Sequence, residues 1–340
     1  MSKKSSSSHP LHGYTFIDLF AGIGGFHLAL SSLGATCLSA VEWEKRCQVT
    51  YEANFGILPQ GDITQVDEKD IPTHDILCAG FPCQAFSISG RQKGFEDTRG
   101  TLFFDVARII QSKKPKVVFL ENVRNLIRHD QGKTLKTILS TLELLGYSAK
   151  TKLLNARDFG LPQNRERLYI VAFRKDLEID FSFPIGTHKK VALKEFLLED
   201  PKDGKVIDRD DIRFYKDISA FDVLKETEYP NKPIQIGTVN KGGQGERIYH
   251  ENGHAITLSA YGGGVGSRTG LYLVKGKVRK LSPRECARLQ GFPDSFKITS
   301  KLTQAYQQFG NSVAVNVVKA IGEKISFSLN QRDKKTPQTP

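Results

Sequence analysis

Two residues of this 340-residue chain stand where they could do covalent chemistry together. Cys83 lies in Pro82-Cys83-Gln84, after the apolar run Ile76-Leu77-Cys78-Ala79-Gly80. Glu121 opens Glu121-Asn122-Val123, at the end of a second apolar run from Val117 to Leu120. A thiolate is a strong nucleophile, and a carboxyl beside it can give or take a proton in the same reaction. If both runs are parallel strands of one sheet, the two groups emerge side by side at its carboxyl edge, where open α/β sheets hold their ligands. Arg165 and Arg167, in Pro162-Gln163-Asn164-Arg165-Glu166-Arg167, could supply the positive surroundings that a reactive thiol needs. Taken alone, these arginines read equally well as ordinary salt-bridge partners. Cys37, Cys47, Cys78 and Cys286 read as small buried hydrophobes.

The elements that must position these groups follow an alternating pattern. Strand candidates fall at 15–20, 36–42, 75–80, 116–121, 150–155 and 167–173, with helical candidates at 26–33, 44–54, 102–113 and 133–145. Such alternation predicts an α/β fold, a doubly wound, mostly parallel sheet with helices on both faces. After about Ser182 the texture changes: 195–235 is charged and irregular, and 236–274 is Gly-rich with short β-like pieces, Ala255 to Leu258 and Leu271 to Val274. This predicts a smaller, mainly β second domain over 195–282, a connection over 283–307, and a first domain built from 12–194 and 308–330. A helical pattern from Val313 to Phe327 should return to pack on the first sheet, while 1–11 and 331–340 read as flexible tails.

Composition narrows the partners. The net charge of +12 favours a polyanion, either nucleic acid or an anionic membrane surface. No run of about 18 apolar residues occurs, so no membrane span is expected. The five cysteines are odd in number and contain no C-x-x-C pair, which argues against a disulfide framework or a zinc site and for a reducing compartment. The start, Met1-Ser2-Lys3-Lys4 and four serines, has no apolar core and does not read as a signal peptide.

A second constellation suits a cofactor. Asp18-Leu19-Phe20-Ala21-Gly22-Ile23-Gly24-Gly25-Phe26 joins the first strand to the first helix. Glycine lets a backbone approach a ligand, but this spacing is not the dinucleotide G-x-G-x-x-G, and a nicotinamide dehydrogenase ranks last. The next strand ends in Glu42-Trp43, where an acidic residue about 20 residues after the glycines can bond ribose hydroxyls. Trp43, the sole tryptophan, could stack on an adenine or fill a core. Asp62, in Gly61-Asp62-Ile63, could bond an adenine amino group. Together these suit a nucleoside cofactor without a pyrophosphate, such as S-adenosylmethionine.

Five ordered motifs then carry a resemblance. D-L-F-A-G-I-G-G-F at 18–26, G-F-P-C-Q at 80–84, E-N-V at 121–123, Q-N-R-E-R at 163–167 and F-G-N-S-V at 309–313 resemble those of the DNA cytosine-C5 methyltransferases, across about 14–325. The resemblance implies that S-adenosylmethionine is bound by Phe20, Gly22, Gly25, Glu42, Trp43, Asp62, Ile63, Pro82, Leu102, Asn311 and Ser312 and leaves as S-adenosylhomocysteine, with no metal. It implies that Cys83 adds to carbon 6 of cytosine, that Glu121 holds the N3 edge and supplies a proton, that Arg165 holds the O2 side, and that Arg167 orients Glu121 and Arg165. The target base must leave the duplex stack to be reached. The loop 85–100 is then expected to close over it, with Ser89 near the vacated space and Arg91 and Arg99 on phosphates.

The stretch from Lys241 to Val274 resembles the variable domain of family members that methylate the inner cytosine of G-C-G-C, and carries over Gln244, Arg247 and Tyr261 as DNA-reading residues. Arginine can pair with guanine O6 and N7 in the major groove. The expected partner is double-stranded DNA, with no membrane. The setting is a bacterial cytoplasm beside a restriction endonuclease that cuts the same site without a stable complex, and the chain is expected to be a monomer. Two other readings stay open: an RNA cytosine methyltransferase, and a non-catalytic DNA-binding protein on the same fold. The Gly-rich variable region speaks against the first, and the presence of Cys83, Glu121, Arg165 and Arg167 against the second.

Overall fold

A computed structural model describes residues 9–82, 102–215 and 217–333. Its larger sheet holds β1 (Thr15–Leu19), β2 (Thr36–Val41), β3 (Ile76–Ala79), β4 (Val117–Val123), β5 (Tyr147–Asn155) and β6 (Glu166–Arg174), in the order β2-β1-β3-β4-β6-β5. The helices α1 (Gly25–Ser31), α2 (Lys45–Phe55), α3 (Leu102–Lys113) and α4 (Lys133–Leu144) fall between the strands as the alternation predicts.

Strand pairs β1–β2, β1–β3 and β3–β4 are parallel, whereas β6 runs antiparallel to both β4 and β5. The strict strand–helix alternation therefore stops after α4. The link 156–165 holds only a short 3₁₀ turn, Ala156–Phe159, and a parallel connection needs a longer crossover.

The core lies on both faces of this sheet. Phe16, Cys78, Val117, Phe119, Tyr169 and Val171 face one cluster, while Ile17, Leu77, Ala79, Val118, Leu120 and Ile170 face the other. That is the period-two alternation of a strand sandwiched between two helical layers. Helix α3 buries Phe103, Val106, Ala107, Ile109 and Ile110, a three-and-four spacing that gives one continuous apolar stripe.

A second sheet holds β7 (Arg213–Phe214), β8 (Ile234–Thr238), β9 (Arg247–His250), β10 (Leu271–Val274) and β11 (Lys277–Arg279), in the order β11-β10-β9-β8-β7. Its own core is small, with Ile207, Ile234, Ile236, Ile248, Leu271 and Val278. A short helix, α5 (Ser219–Asp222), sits between β7 and β8. The piece Ala255 to Leu258 is not a strand of this sheet. Its backbone bonds instead to the loop before β6: Ala255 N–H donates to Pro162 O at 2.7 Å, and Leu258 N–H to Gln163 Oε1 at 3.0 Å.

The chain then returns through α6 (Pro283–Leu289), α7 (Leu302–Asn311) and α8 (Val315–Asp333). Ser282 caps α6 in a capping box with Glu285, and Pro283 takes the first turn, where its missing N–H costs nothing. Cys286, Leu289, Tyr306, Phe309, Val318 and Ile321 join the same core as β1 and α1. The final helix therefore packs on the first sheet, as its apolar spacing predicts.

Candidate active site

The carboxyl ends of β1 to β4 open into a cleft of about 720 Å³. All eleven positions assigned above to the cofactor, from Phe20 to Ser312, line it, and so do Glu121, Arg165, Arg167 and Tyr261. The turn after β1 is tight: Phe20 and Gly22 have φ of 54° and 55°, in the left-handed region. A β-carbon on Gly25 would sit 2.5 Å from a Val313 methyl, so glycine there lets the segment 312–313 form the wall opposite the turn.

Glu42 fixes this turn. Its carboxylate accepts the Gly22 N–H at 2.7 Å and the Glu44 N–H at 2.8 Å. Burial raises its pKa, and these backbone bonds act against the rise. Trp43 is 72% exposed, which excludes the core role and leaves its ring on the cleft wall. Asp62 is exposed on the same wall and caps the turn Ile63–Gln65 through the Thr64 N–H. A flat aromatic face, two carboxylates and the open backbone at Gly22 fit an adenosyl group. Among the described residues no group of three or more His, Cys, Asp or Glu side chains could hold a metal ion.

At the far end of the cleft, Glu121 is 9% exposed and its Oε1 lies 3.2 Å from Arg167 Nε. Position 121 pairs with Tyr169 across the β4–β6 ladder, so Arg167 lies two residues along and on the same face. Burial raises the Glu121 pKa despite the lowering pull of Arg167 and Arg165. A carboxyl so placed is poised to hold a proton and give it up.

Arg165 is 2% exposed and pairs with carbonyl groups. It donates to Leu258 O at 3.1 Å, Gly310 O at 3.0 Å and Ser312 O at 2.7 Å, and its Nε–H is left without a partner. Burial, then Arg167, lower its pKa to about 9, which still leaves it a cation at neutral pH. The reading of Arg165 and Arg167 as a simple salt-bridged pair therefore fits only Arg167.

The remaining assignments fall as follows. Gln244 is exposed in the 3₁₀ turn Gln244–Glu246 and Arg247 is exposed at the start of β9; neither lines the cleft. Cys83, Ser89, Arg91, Arg99 and the stretch 85–100 lie outside the described residues. Pro82, directly before Cys83, lines the cleft, and Asn122 Nδ2 donates to Phe81 O at 2.8 Å, tying the end of β4 to that approach.

Three contributions go beyond the residues assigned from sequence. Asn122 is one. Gln163, fully buried, donates to Leu289 O at 2.9 Å and accepts from Leu258 N–H. Gln308 on α7 donates to Arg46 O at 3.1 Å and holds the cleft's outer wall. Asn122 and Gln163 lie inside quoted motifs, so their signal was present without a role; Gln308 gave none beyond the polar face of its helix.

Proteins similar to this chain fall in one family. The description "C-5 cytosine-specific DNA methylase" belongs to the family model that matches residues 14–326. "Type II methyltransferase M.HhaI" of Haemophilus parahaemolyticus is 56% identical over 94% of this chain and 96% of its own length. "Type II methyltransferase M.HpaII" of Haemophilus parainfluenzae is 47% identical over 93% of this chain and 90% of its own. Among solved structures, a putative DNA modification methyltransferase encoded within an E. coli prophage superposes with a TM-score of 0.69 at 22% identity, covering 94% of this chain and all of that one. The S. pombe Dnmt2 methyltransferase superposes at 0.65 and 21% identity, covering 94% of this chain and 99% of its own, which supports the fold alone.

Proposed function

This chain belongs to the C-5 cytosine-specific DNA methylase family, and from that premise we propose how its residues act and which cytosine it modifies. The target is the inner cytosine of G-C-G-C in double-stranded DNA, taken out of the stack to reach the cleft. The observation that carries this reading is the meeting, in one cleft, of the buried Glu121 carboxyl, the free Nε–H of Arg165 and the adenosyl-sized wall around Trp43.

Carbon 5 of cytosine is a poor nucleophile until carbon 6 carries an added group. Cys83 fills that role: its thiolate bonds to carbon 6 while Glu121 gives its proton to N3, which turns carbon 5 into an enamine carbon. Arg165, through Nε, holds the O2 side of the base, and Arg167 holds the Glu121 carboxyl in place. Bound S-adenosylmethionine supplies an electrophilic methyl group, and Phe20, Gly22, Glu42, Trp43, Asp62 and Ser312 hold it. Once carbon 5 is methylated, water or hydroxide takes its proton, which restores the double bond and expels the Cys83 thiolate. Glu121 takes back the N3 proton in the same step.

Gln244 and Arg247, which lie outside the cleft, and Tyr261 on its wall read the bases, while Ser89, Arg91 and Arg99 meet the strand. Both relatives named above carry the description type II, which supports a role in shielding DNA from a restriction endonuclease that cuts the same sequence. The protein works as a monomer in the cytoplasm, without a stable complex with that nuclease. Labelled methyl incorporation into duplexes bearing G-C-G-C or C-C-G-G and into transfer RNA tests the reading. Incorporation is expected only in the G-C-G-C duplex and should vanish in Cys83→Ser. Equal labelling of the two duplexes would remove the sequence assignment, and preferential labelling of transfer RNA would remove the DNA assignment.

A further inference from the structure

The turn that bears Gln244 and the segment after Tyr261 touch through bare backbone. A β-carbon on Gly245 would lie 2.0 Å from the Gly263 carbonyl oxygen and 3.1 Å from its carbon. The Gly245 carbonyl accepts the Gly266 N–H at 2.7 Å, which closes the contact from the other side. Gly245 is not in the left-handed region, so its backbone conformation does not call for glycine; the close approach does.

A matching contact lies nearer the cleft. Gly310 is helical, yet a β-carbon there would lie 2.4 Å from Ala260 N and 2.4 Å from the Ser259 carbonyl carbon. Arg165 bonds to Leu258 O and Gly310 O together, so this join is also pinned from below. The chain from the cleft floor therefore runs without a gap through Leu258, Ser259, Ala260 and Tyr261 to Gly263, and across to Gly245.

We propose that the Gly245–Gly263 contact is a positioning device for sequence selectivity. It locks the turn carrying Gln244 and Arg247 to the segment anchored on the active-site cleft, so base reading and methyl transfer keep one fixed spacing. This rests on the base-reading roles proposed above. Paired hydrogen bonds to a base edge lose strength over a few tenths of an ångström. An alanine methyl at 245 must part the two loops by roughly 1 Å, because the atom it meets is backbone and cannot swing aside.

The asymmetry of the contact supplies its own control. A β-carbon on Gly263 meets nothing within 4 Å, although it belongs to the same contact. Gly245→Ala and Gly263→Ala are compared with the parent for kcat/KM on a G-C-G-C duplex and on duplexes changed at one base pair. S-adenosylhomocysteine affinity is read in parallel by Trp43 fluorescence. Gly245→Ala should lose roughly tenfold or more in discrimination, mainly through kcat/KM on the preferred duplex, with cofactor affinity and melting temperature close to the parent. Gly263→Ala should discriminate as the parent does. Parent-like discrimination by Gly245→Ala, or an equal loss in Gly263→Ala, would overturn the proposal. If the parent prefers another sequence, the G-C-G-C assignment fails alone, and the same comparison around that sequence decides the contact. A parent with no preference would overturn both.

Discussion

Arg167 Nε lies 3.2 Å from Glu121 Oε1, and both side chains are largely buried at the cleft end of adjacent antiparallel strands. The arginine restrains the carboxyl, while burial raises the Glu121 pKa and Arg167 only partly offsets that rise. Removing the cation while keeping the bulk should therefore move the carboxyl further up. In Arg167→Met, the protonated-carboxyl infrared band assigned by difference against Glu121→Gln should persist to higher pH than in the parent. A band lost at lower pH would contradict the arrangement. Because the folded-state pKa is raised, the carboxyl's contribution to stability is present below its ordinary 4.5 and is lost as pH rises through the raised value.

Arg165 satisfies three carbonyls from two distant segments, and lysine cannot reproduce that fork. Arg165→Lys should lose about 2–4 kcal/mol in denaturant unfolding, since buried acceptors are left unpaired. Its affinity for S-adenosylhomocysteine should also fall, because Gly310 and Ser312 belong to the cleft wall. Parent-like values for both would remove Arg165 from this structural task.

The single tryptophan gives a direct report on the cofactor end. Trp43 is 72% exposed beside Glu42, so an adenine stacked on it should change its emission. Titration with S-adenosylhomocysteine should give a saturable fluorescence change, and Trp43→Ala should weaken binding by about tenfold, in line with about 1.4 kcal/mol of lost stacking. A flat titration, or unchanged affinity in Trp43→Ala measured by calorimetry, would place the adenine elsewhere.

How much of this was legible in the chain depends on how local each feature is. Strands β1, β3 and β4 were legible because their apolar side chains are shared between two apolar layers, and the glycine turn, Glu42 and Trp43 because they are neighbours at two strand ends. The reversal of β6 was not, since a strand's pattern carries no direction; the missing helix in 156–165 was its only trace. Ala255 to Leu258 read as a strand because extended, β-branched sequence looks the same whether it pairs with a sheet or with one loop. The partners of Arg165 were hidden for another reason: they are main-chain carbonyls 93, 145 and 147 residues away, and any residue type could supply them. Gly245 stands in a Gly-rich stretch, and only the fold shows which backbone it meets.

Beneath the cofactor turn, His27 is buried against Phe55 and Tyr51, with Nδ1 2.7 Å from the Tyr51 hydroxyl. Burial lowers its pKa from 6.5 to about 4, so the folded protein holds this ring neutral while the unfolded chain protonates it. The unfolded state thus binds more protons across that window, and stability should fall as pH drops from about 6.5 towards 4. His27→Gln should flatten this part of the slope in melting temperature against pH. An unchanged slope would mean that other groups account for the acid sensitivity.

The account stands most directly on which base is modified and in what sequence. Bisulfite sequencing of DNA from cells expressing the chain reads both at once. It should show 5-methylcytosine at the inner cytosine of G-C-G-C and nowhere else above background, with no such mark from Glu121→Gln or Cys83→Ser. Unmodified G-C-G-C sites in DNA from cells making the folded parent protein would contradict it.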